Sequence, residues 1–431
     1  MSDPVPGQPA YKDFVLKVSR GTEDTYLVEA QGPTGGEARS HFQLPFDRKD
    51  LQIFLLQVGH PRRTVVRGHV PSPLQPTVDF GSKLYDAVII GEVRDLWIRA
   101  QADGDREGYG LRLKLRLAGA PELSDLPWEF LYDGRDFCAL SSSTPLVRSL
   151  DLATPARPMQ VALPLRILVT ISAPQDVPPL DVEAEQANIE EALAEVEDRV
   201  QVDFTDGTLR TLQRTLRQAR QEGQPYHAWH YIGHGGFDPQ TEDSVLVFCD
   251  GAGMSSPVGG FQLGTLFKSY PEIRLALLNA CEGARSDVDD PFAGVAAALV
   301  ERGIPAVIGM QFEISDEAAT TLTSEFYRAL ADGLPVDAAT TEARRAVFFL
   351  PNWVEWATPV LHMRAPDGIL FDLQDEGLSK KALKAQEQAI KDRLEQEEEE
   401  RKTREKAVRD ARKARERHGK KEEKRREEAD T

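Results

Sequence analysis

Between residues 165 and 363, five short apolar runs alternate with longer amphipathic stretches, and this alternation restricts the fold more tightly than anything else in the 431 residues. The runs are RILVTIS (166–172), RVQVDF (199–204), HAWHYIG (227–233), IRLALLNA (273–280) and PAVIGM (305–310). Helical periodicity fills the intervals at 182–197, 208–222, 291–302, 317–331 and 338–347. A strand that is apolar on both sides must be covered on both faces, and helices between such strands supply the cover. The pattern predicts an α/β fold with a mostly parallel central sheet flanked by helices. Ligands of such sheets bind beyond the carboxyl ends of the strands.

Outside that block the chain changes character. Residues 380–431 hold 19 Lys or Arg and 15 Asp or Glu, with no proline. Blocks of opposite charge, such as 397–400 followed by Arg401, Lys402 and Arg404, suit i,i+4 pairing on a solvated helix. Residues 376–431 are therefore expected to form a charged helical or disordered tail, with Leu383, Ile390 and Leu394 as a short coiled-coil seed. Residues 1–75 carry strand-like runs at 15–19, 25–30 and 41–46 and a short helical stretch at 51–58, which predicts a small β-rich N-terminal module with a docking or regulatory role. Residues 79–150 combine a charged helical stretch (91–103), the strictly alternating LRLKLRL (111–117), and the compact segments LPWEFLYDG and PLVRSL. A proline-rich connection at 151–179, interrupted by one strand, leads into the alternating core at 165–365.

Charge and cysteine content narrow the function classes. The formal net charge is -18, and removing the tail's +4 leaves -22 on residues 1–379. Such a body is a poor partner for nucleic acid or an anionic membrane surface. No apolar stretch reaches bilayer length, and the first residues show neither the basic start nor the apolar run of a secretory signal. Three cysteines, Cys138, Cys249 and Cys281, with no CxxC among them, suit a reducing, cytoplasmic compartment. GxGxxG and GxxxxGK[ST] are both absent, which disfavours dinucleotide and P-loop chemistry.

The residues with chemistry to offer stand at two strand ends. HAWHYIG runs into His234-Gly235-Gly236, and LALLNA runs into Cys281-Glu282-Gly283-Ala284. An imidazole beside a thiol holds it as thiolate, making a nucleophile and its base. Glycines let a carbonyl approach backbone N–H groups that can receive an oxyanion. Each residue alone also has a structural reading, the cysteine as a small hydrophobe and the histidine as a hydrogen-bonded strand-end residue. The spacing of His227, His230 and His234 invites zinc, but on a strand 227 and 230 face opposite sides and no Cys or Asp completes a four-ligand set. No metal or cofactor is expected. His230 reads as a buried strand histidine, Cys138 and Cys249 as core residues, and Trp128 with Glu129 as a turn that packs a peripheral segment. Trp353 and Trp356 read as packing or pocket-wall residues.

His234 precedes Cys281 by 47 residues, close to the histidine-first spacing of about 50 in caspases. With YIGHGG, LLNACEGA, GMQFEISDEAA, LPWEFLYDG, PLVRSL and WVEWATPVL, the chain resembles the CHAT family, of the caspase and separase group of cysteine peptidases, over roughly 80–365. That resemblance implies a caspase-like fold at 79–365, between the N-terminal module and the tail. It also implies a cysteine endopeptidase, with Cys281 as nucleophile, His234 as base, and the backbone N–H groups of Gly235 and Cys281 as the oxyanion hole. Relatives of this kind make selective, regulated cuts in partner proteins, in bacterial defence or cell death. The implied substrate is a protein encoded by a neighbouring gene, gasdermin-like or another effector, and a regulatory partner would dock through the N-terminal module or the tail. A catalytically silent scaffold on the same fold is the alternative.

Specificity is less constrained. Asp243, Asp287, Glu313 and Asp316 are candidate acidic walls of the S1 pocket, which would favour Arg or Lys before the cut. Ser315 and Asp316 also suit a helix N-cap. Asn279 stands where several metacaspase-type relatives carry Asp, so a mid-sized apolar residue before the cut is equally open.

Overall fold

The computed structural model describes residues 10–22, 24–58, 74–150, 156–238, 243–280, 291–351 and 354–374. The chain divides into two units, Met1–Leu373 and Gln374–Thr431. The expected charged tail and its coiled-coil seed lie outside the described residues. The first unit opens with strands β1 (Tyr11–Arg20), β2 (Tyr26–Gln31) and β3 (Glu37–Phe42), then helices α1 (Arg48–Val58), α2 (Leu74–Val88) and α3 (Gly91–Glu107). Strands β4 (Gly110–Gly119), β5 (Leu146–Ser149) and β6 (Met159–Ala162) follow. The alternating block then runs β7 (Leu165–Ile171), α4 (Val182–Leu193), β8 (Val200–Asp206), α5 (Leu209–Gln221) and β9 (Ala228–Gly233). It continues through β10 (Gly235–Asp238), β11 (Asp243–Cys249), β12 (Ser255–Gly259), α6 (Gly260–Phe267), β13 (Leu275–Ala280), α7 (Pro291–Arg302) and β14 (Ala306–Met310). Helices α8 (Asp316–Ala331) and α9 (Val336–Phe348) and strands β15 (Pro359–Met363) and β16 (Phe371–Gln374) complete it.

Among the described residues, 11 strands form one sheet in the order β3-β2-β1-β4-β5-β15-β14-β13-β9-β7-β8. Strands β8, β7, β9, β13 and β14 are joined in parallel. Because β8 lies outside β7 while β9 lies inside it, the strand order reverses between β7 and β9. Connections leave such a point toward opposite faces, and a crevice opens at the carboxyl ends of the strands. Strand β9 displays the layering, since all six of its residues are buried. The Trp229 ring meets Phe267 of α6 at 4.7 Å and the His230 ring meets Tyr327 of α8 at 6.1 Å, so successive residues face helices on opposite sides. Helix α8 packs on α9 and α4, and α6 packs on α7.

The helices begin where the side chains allow it. Asp181 accepts from the Ala184 N–H at 3.0 Å, and Thr208 accepts from the Thr211 N–H at 3.2 Å, each satisfying an otherwise orphaned donor. Ser315 caps α8 by accepting from Ala318, which makes Asp316 the first helical residue rather than the cap.

Strands β1–β3 join the same sheet, because β1 pairs in parallel with β4 from Tyr11↔Gly110 onward. Phe14 packs edge-on against Trp97 of α3 at 4.8 Å. The alternating LRLKLRL run becomes β4, yet its charges are not on a solvated face: Arg112 and Lys114 are buried. Arg112 pairs with Asp337 at 2.7 Å and Asp13 at 3.1 Å, Lys114 pairs with Asp13 at 2.5 Å, and both donate to the Pro366 carbonyl. The proline-rich connection holds one strand more than expected, since β6 pairs with β16.

Candidate active site

Strands β9 and β13 pair in register from Ala228↔Leu275 to Gly233↔Ala280, so they end side by side at the carboxyl edge of the sheet. The next residues in sequence are His234 and Cys281. Cys281 and Asp287 lie outside the described residues, as does Trp353. Close packing fixes the end of β9, because a Cβ at Gly233 would fall 2.6 Å from the Tyr231 hydroxyl and 3.0 Å from the Ser172 carbonyl oxygen. The Tyr231 hydroxyl shares its hydrogen between the His234 carbonyl at 3.0 Å and the Val247 carbonyl at 2.8 Å. Val247 donates its N–H to the His234 carbonyl at 2.9 Å. Ser172, just past β7, donates its hydroxyl to the Val247 carbonyl at 2.8 Å and its N–H to the Ile232 carbonyl at 2.8 Å. The His234 backbone is therefore held from β9 and β11, which positions the imidazole.

His234 is 6% exposed, and its Nδ1 is buried without a hydrogen-bond partner among the described residues. Burial pushes its pKa below the ordinary histidine value, so the ring is predominantly neutral at pH 7 and able to accept a proton. Gly235 opens β10, the edge strand of a three-stranded sheet ordered β10-β11-β12. The Val247-to-His234 bond sets the phase of the β10–β11 ladder, so Gly236 is hydrogen-bonded to Val245, and the N–H groups of Gly235 and Phe237 turn away from β11. Gly235 thus presents next to the histidine a backbone donor with no partner among the described residues.

The other described sequence candidates sit on separate elements. Asp243 opens β11, where its Oδ1 accepts from the Ser244 N–H at 2.9 Å. Glu313 is half-buried between β14 and α8, and Asp316 is exposed in the first turn of α8. Asn279, two residues before Cys281, is 4% exposed with an unpartnered Oδ1 among the described residues. His227 Nδ1 accepts from the Arg166 N–H at 3.0 Å, while His230 is fully buried against α8 as expected of a strand histidine. Among the described residues no group of three or more His, Cys, Asp or Glu could hold a metal ion. Cys138 is buried, and burial pushes its thiol up to about 12, far from a reactive thiolate. Cys249 is half-buried, with Sγ 3.7 Å from Ser172 Oγ.

Sequence reasoning missed one cluster. Glu129 and Arg148 form a buried ion pair at 2.8 Å, and Gln311 Nε2 donates to Glu129 at 3.0 Å and to the Ala357 carbonyl at 2.7 Å. Glu355 accepts from the Ser315 N–H at 2.8 Å and hydroxyl at 2.9 Å. LPWEFLYDG, PLVRSL, GMQFEISDEAA and WVEWATPVL therefore meet in one place and anchor the segment between β14 and α8. The available signal was a polar or charged residue beside the apolar positions of each motif: Glu129, Arg148, Gln311 and Glu355. Trp128 behaves as expected of a packing residue, fully buried with Nε1 donating to the Leu123 carbonyl at 2.7 Å. No helix among the described residues is long and apolar enough to cross a membrane.

A mostly parallel sheet between helix layers, with β9 and β13 ending side by side, is a caspase-like fold. The chain belongs to the CHAT-domain family, whose model matches residues 78–375. Among solved structures, a chain of the Saccharomyces cerevisiae separase–securin complex is similar at a TM-score of 0.45 and 11% identity, over 82% of this chain and 30% of that one. A secreted C11 cysteine protease from Bacteroides thetaiotaomicron, in complex with an irreversible peptide inhibitor, is similar at 0.29 and 12% identity, over 42% of this chain and 58% of that one. This chain thus spans less than two thirds of either. Comparison with curated proteins returned no match.

Proposed function

We propose that the protein is a cysteine endopeptidase working through a Cys281–His234 dyad and making selective, regulated cuts in partner proteins. The supporting observation is the register of β9 with β13 through Gly233↔Ala280, because each dyad residue follows a paired residue by one peptide link, about 3.8 Å between Cα atoms. Neutral His234 takes the thiol proton of Cys281, and the thiolate attacks the scissile carbonyl carbon. The developing oxyanion accepts hydrogen bonds from the N–H groups of Gly235 and Cys281. As the C–N bond breaks, the imidazolium returns its proton to the leaving amine, which leaves a thioester on Cys281. Water then gives a proton to His234, attacks the thioester carbon and releases the carboxylic acid and the thiol. Acyl transfer of this kind needs no cofactor.

On this reading the substrate is a protein, such as a gasdermin-like or other effector from a neighbouring gene, and the setting is bacterial defence or cell death. The residue before the cut is basic if Asp243, Asp287, Glu313 or Asp316 walls the pocket, and mid-sized apolar if none does. Peptide acyloxymethyl ketones with Arg, Lys or Leu at that position test the dyad and this preference together. Covalent labelling is expected at Cys281, absent from Cys281→Ala and slowed by about 100-fold or more in His234→Ala. Labelling that ignores the His234 substitution would overturn the dyad, and no labelling by any probe would favour the silent scaffold.

A further inference from the structure

Two features around β10 remain unexplained by a dyad and an oxyanion donor. Gly236 has no conformational reason to be glycine, because its φ is not in the left-handed region. Among the described residues it has no packing reason either, since a Cβ there would meet only Val245 Cγ2 of them, at an ordinary 3.9 Å. Gly233, three residues earlier, is the opposite case, with its Cβ position blocked by Tyr231 and Ser172. Strand alternation puts the missing Gly236 side chain on the same face as the His234 imidazole. The second feature is the open edge of β10: the N–H and carbonyl of Phe237 point away from β11, as those of Gly235 do, and have no partner among the described residues. The Phe237 side chain is 50% exposed.

We infer that β10 receives the leaving-group side of the substrate as an added strand along its open edge, with Gly236 keeping the face beside His234 clear where the substrate passes from the dyad to that edge. This rests on the peptidase reading and names the substrate class as a polypeptide segment free to become extended, rather than a helix or a folded surface. The choice of side follows from the chemistry. The acyl half stays bonded to Cys281 at the end of β13, whereas the amine must lie against His234, whose chain continues directly into β10. An extended partner satisfies free edge donors and acceptors through main-chain hydrogen bonds, and its alternate side chains leave room for selectivity. The first such pairing past Gly235 is at Phe237, so a substrate that ends one residue beyond the cut cannot reach it.

The test uses the full chain and a peptide library made by digesting a bacterial proteome, with new N-termini sequenced. Cut peptides should carry about three or more residues beyond the bond, and synthetic versions trimmed to one residue should be cut about tenfold or more slowly, through KM. Gly236→Ala and Phe237→Pro should lose cleavage of the longer peptides by a similar factor, with thermal midpoints within a few degrees of the unmodified protein. Phe237→Ala, which keeps the N–H, should lose less than Phe237→Pro. Equal cleavage of trimmed and full-length peptides would overturn the inference, as would undiminished cleavage by Gly236→Ala and Phe237→Pro. Labelling of Cys281 by the acyl-side ketone probes reads the nucleophile separately, so its absence from the unmodified protein would sink the peptidase reading itself.

Discussion

Glu129 has no exposed surface and Arg148 keeps 5%, so this pair depends on the hydrogen bonds that surround it. Arg148 also donates to the Ser124 and Leu126 carbonyls, and Gln311 bridges Glu129 to Ala357. Removing one charge leaves the other unpaired in a low dielectric, at a cost of about 3–5 kcal/mol, whereas replacing both with apolar groups is far less costly. Glu129→Ala should therefore lose stability of that order in urea unfolding, and Glu129→Ala with Arg148→Met should regain most of it. Equal losses in the single and double variants would show that the charges are not coupled. At this scale the sequence discloses residues whose surroundings are local. The place of His234 at a strand end was legible because an apolar run leading into a histidine and two glycines is a local pattern. The partnership of Glu129 with Gln311 spans 182 positions, and no local pattern encodes it. Asp243, Glu313 and Asp316 combine charge with loop or element-end positions, properties that pocket walls and solvated residues share, so local sequence does not separate the two; Asp316 is exposed and the other two are half-buried.

Strands β9 and β15 and the start of the β9 segment carry histidines that the fold keeps neutral. Burial lowers His230 to about 3, burial with nearby Arg148 lowers His362 to about 3, and burial with Arg166 lowers His227 to about 4. In the unfolded chain each titrates near about 6.5, so between these values the unfolded state binds more protons and stability rises with pH. Their contribution is complete above about pH 6.5 and is lost as pH falls from there toward 4 and 3. The urea midpoint should accordingly be lower at pH 5.5 than at pH 7.5, and His230→Leu should flatten the dependence by about one proton, or roughly 1.4 kcal/mol per pH unit at most. A midpoint that does not move across that interval would contradict the burial of these rings as neutral species. The elements themselves were readable where periodicity and burial agree, as in β9, β13 and α5. They were less so where a charge is buried in a strand: LRLKLRL reads as a strand with one wet face, and only the long-range partners Asp13 and Asp337 make its charged face an interior one.

Across the whole molecule, the feature that matters is the order in which strands lie, which local sequence does not specify. Alternating strands and helices implied a covered parallel sheet, and the order β8-β7-β9-β13-β14 places its reversal point at β7 and β9, the strand that leads into His234. Nothing local in residues 11–42 signals that β1 adds in parallel to β4, roughly a hundred positions later, and carries β2 and β3 into the same sheet. The same long-range pairing sets the register of Gly233 with Ala280 that underlies the proposed dyad. The most direct test incubates the purified protein and its Cys281→Ala form with extract from its own cells, with and without the products of adjacent genes, and sequences every new protein N-terminus. A small set of termini that requires Cys281 is the expected result. Identical termini from the intact and Cys281→Ala proteins in every mixture, with both proteins folded and reduced, would contradict it.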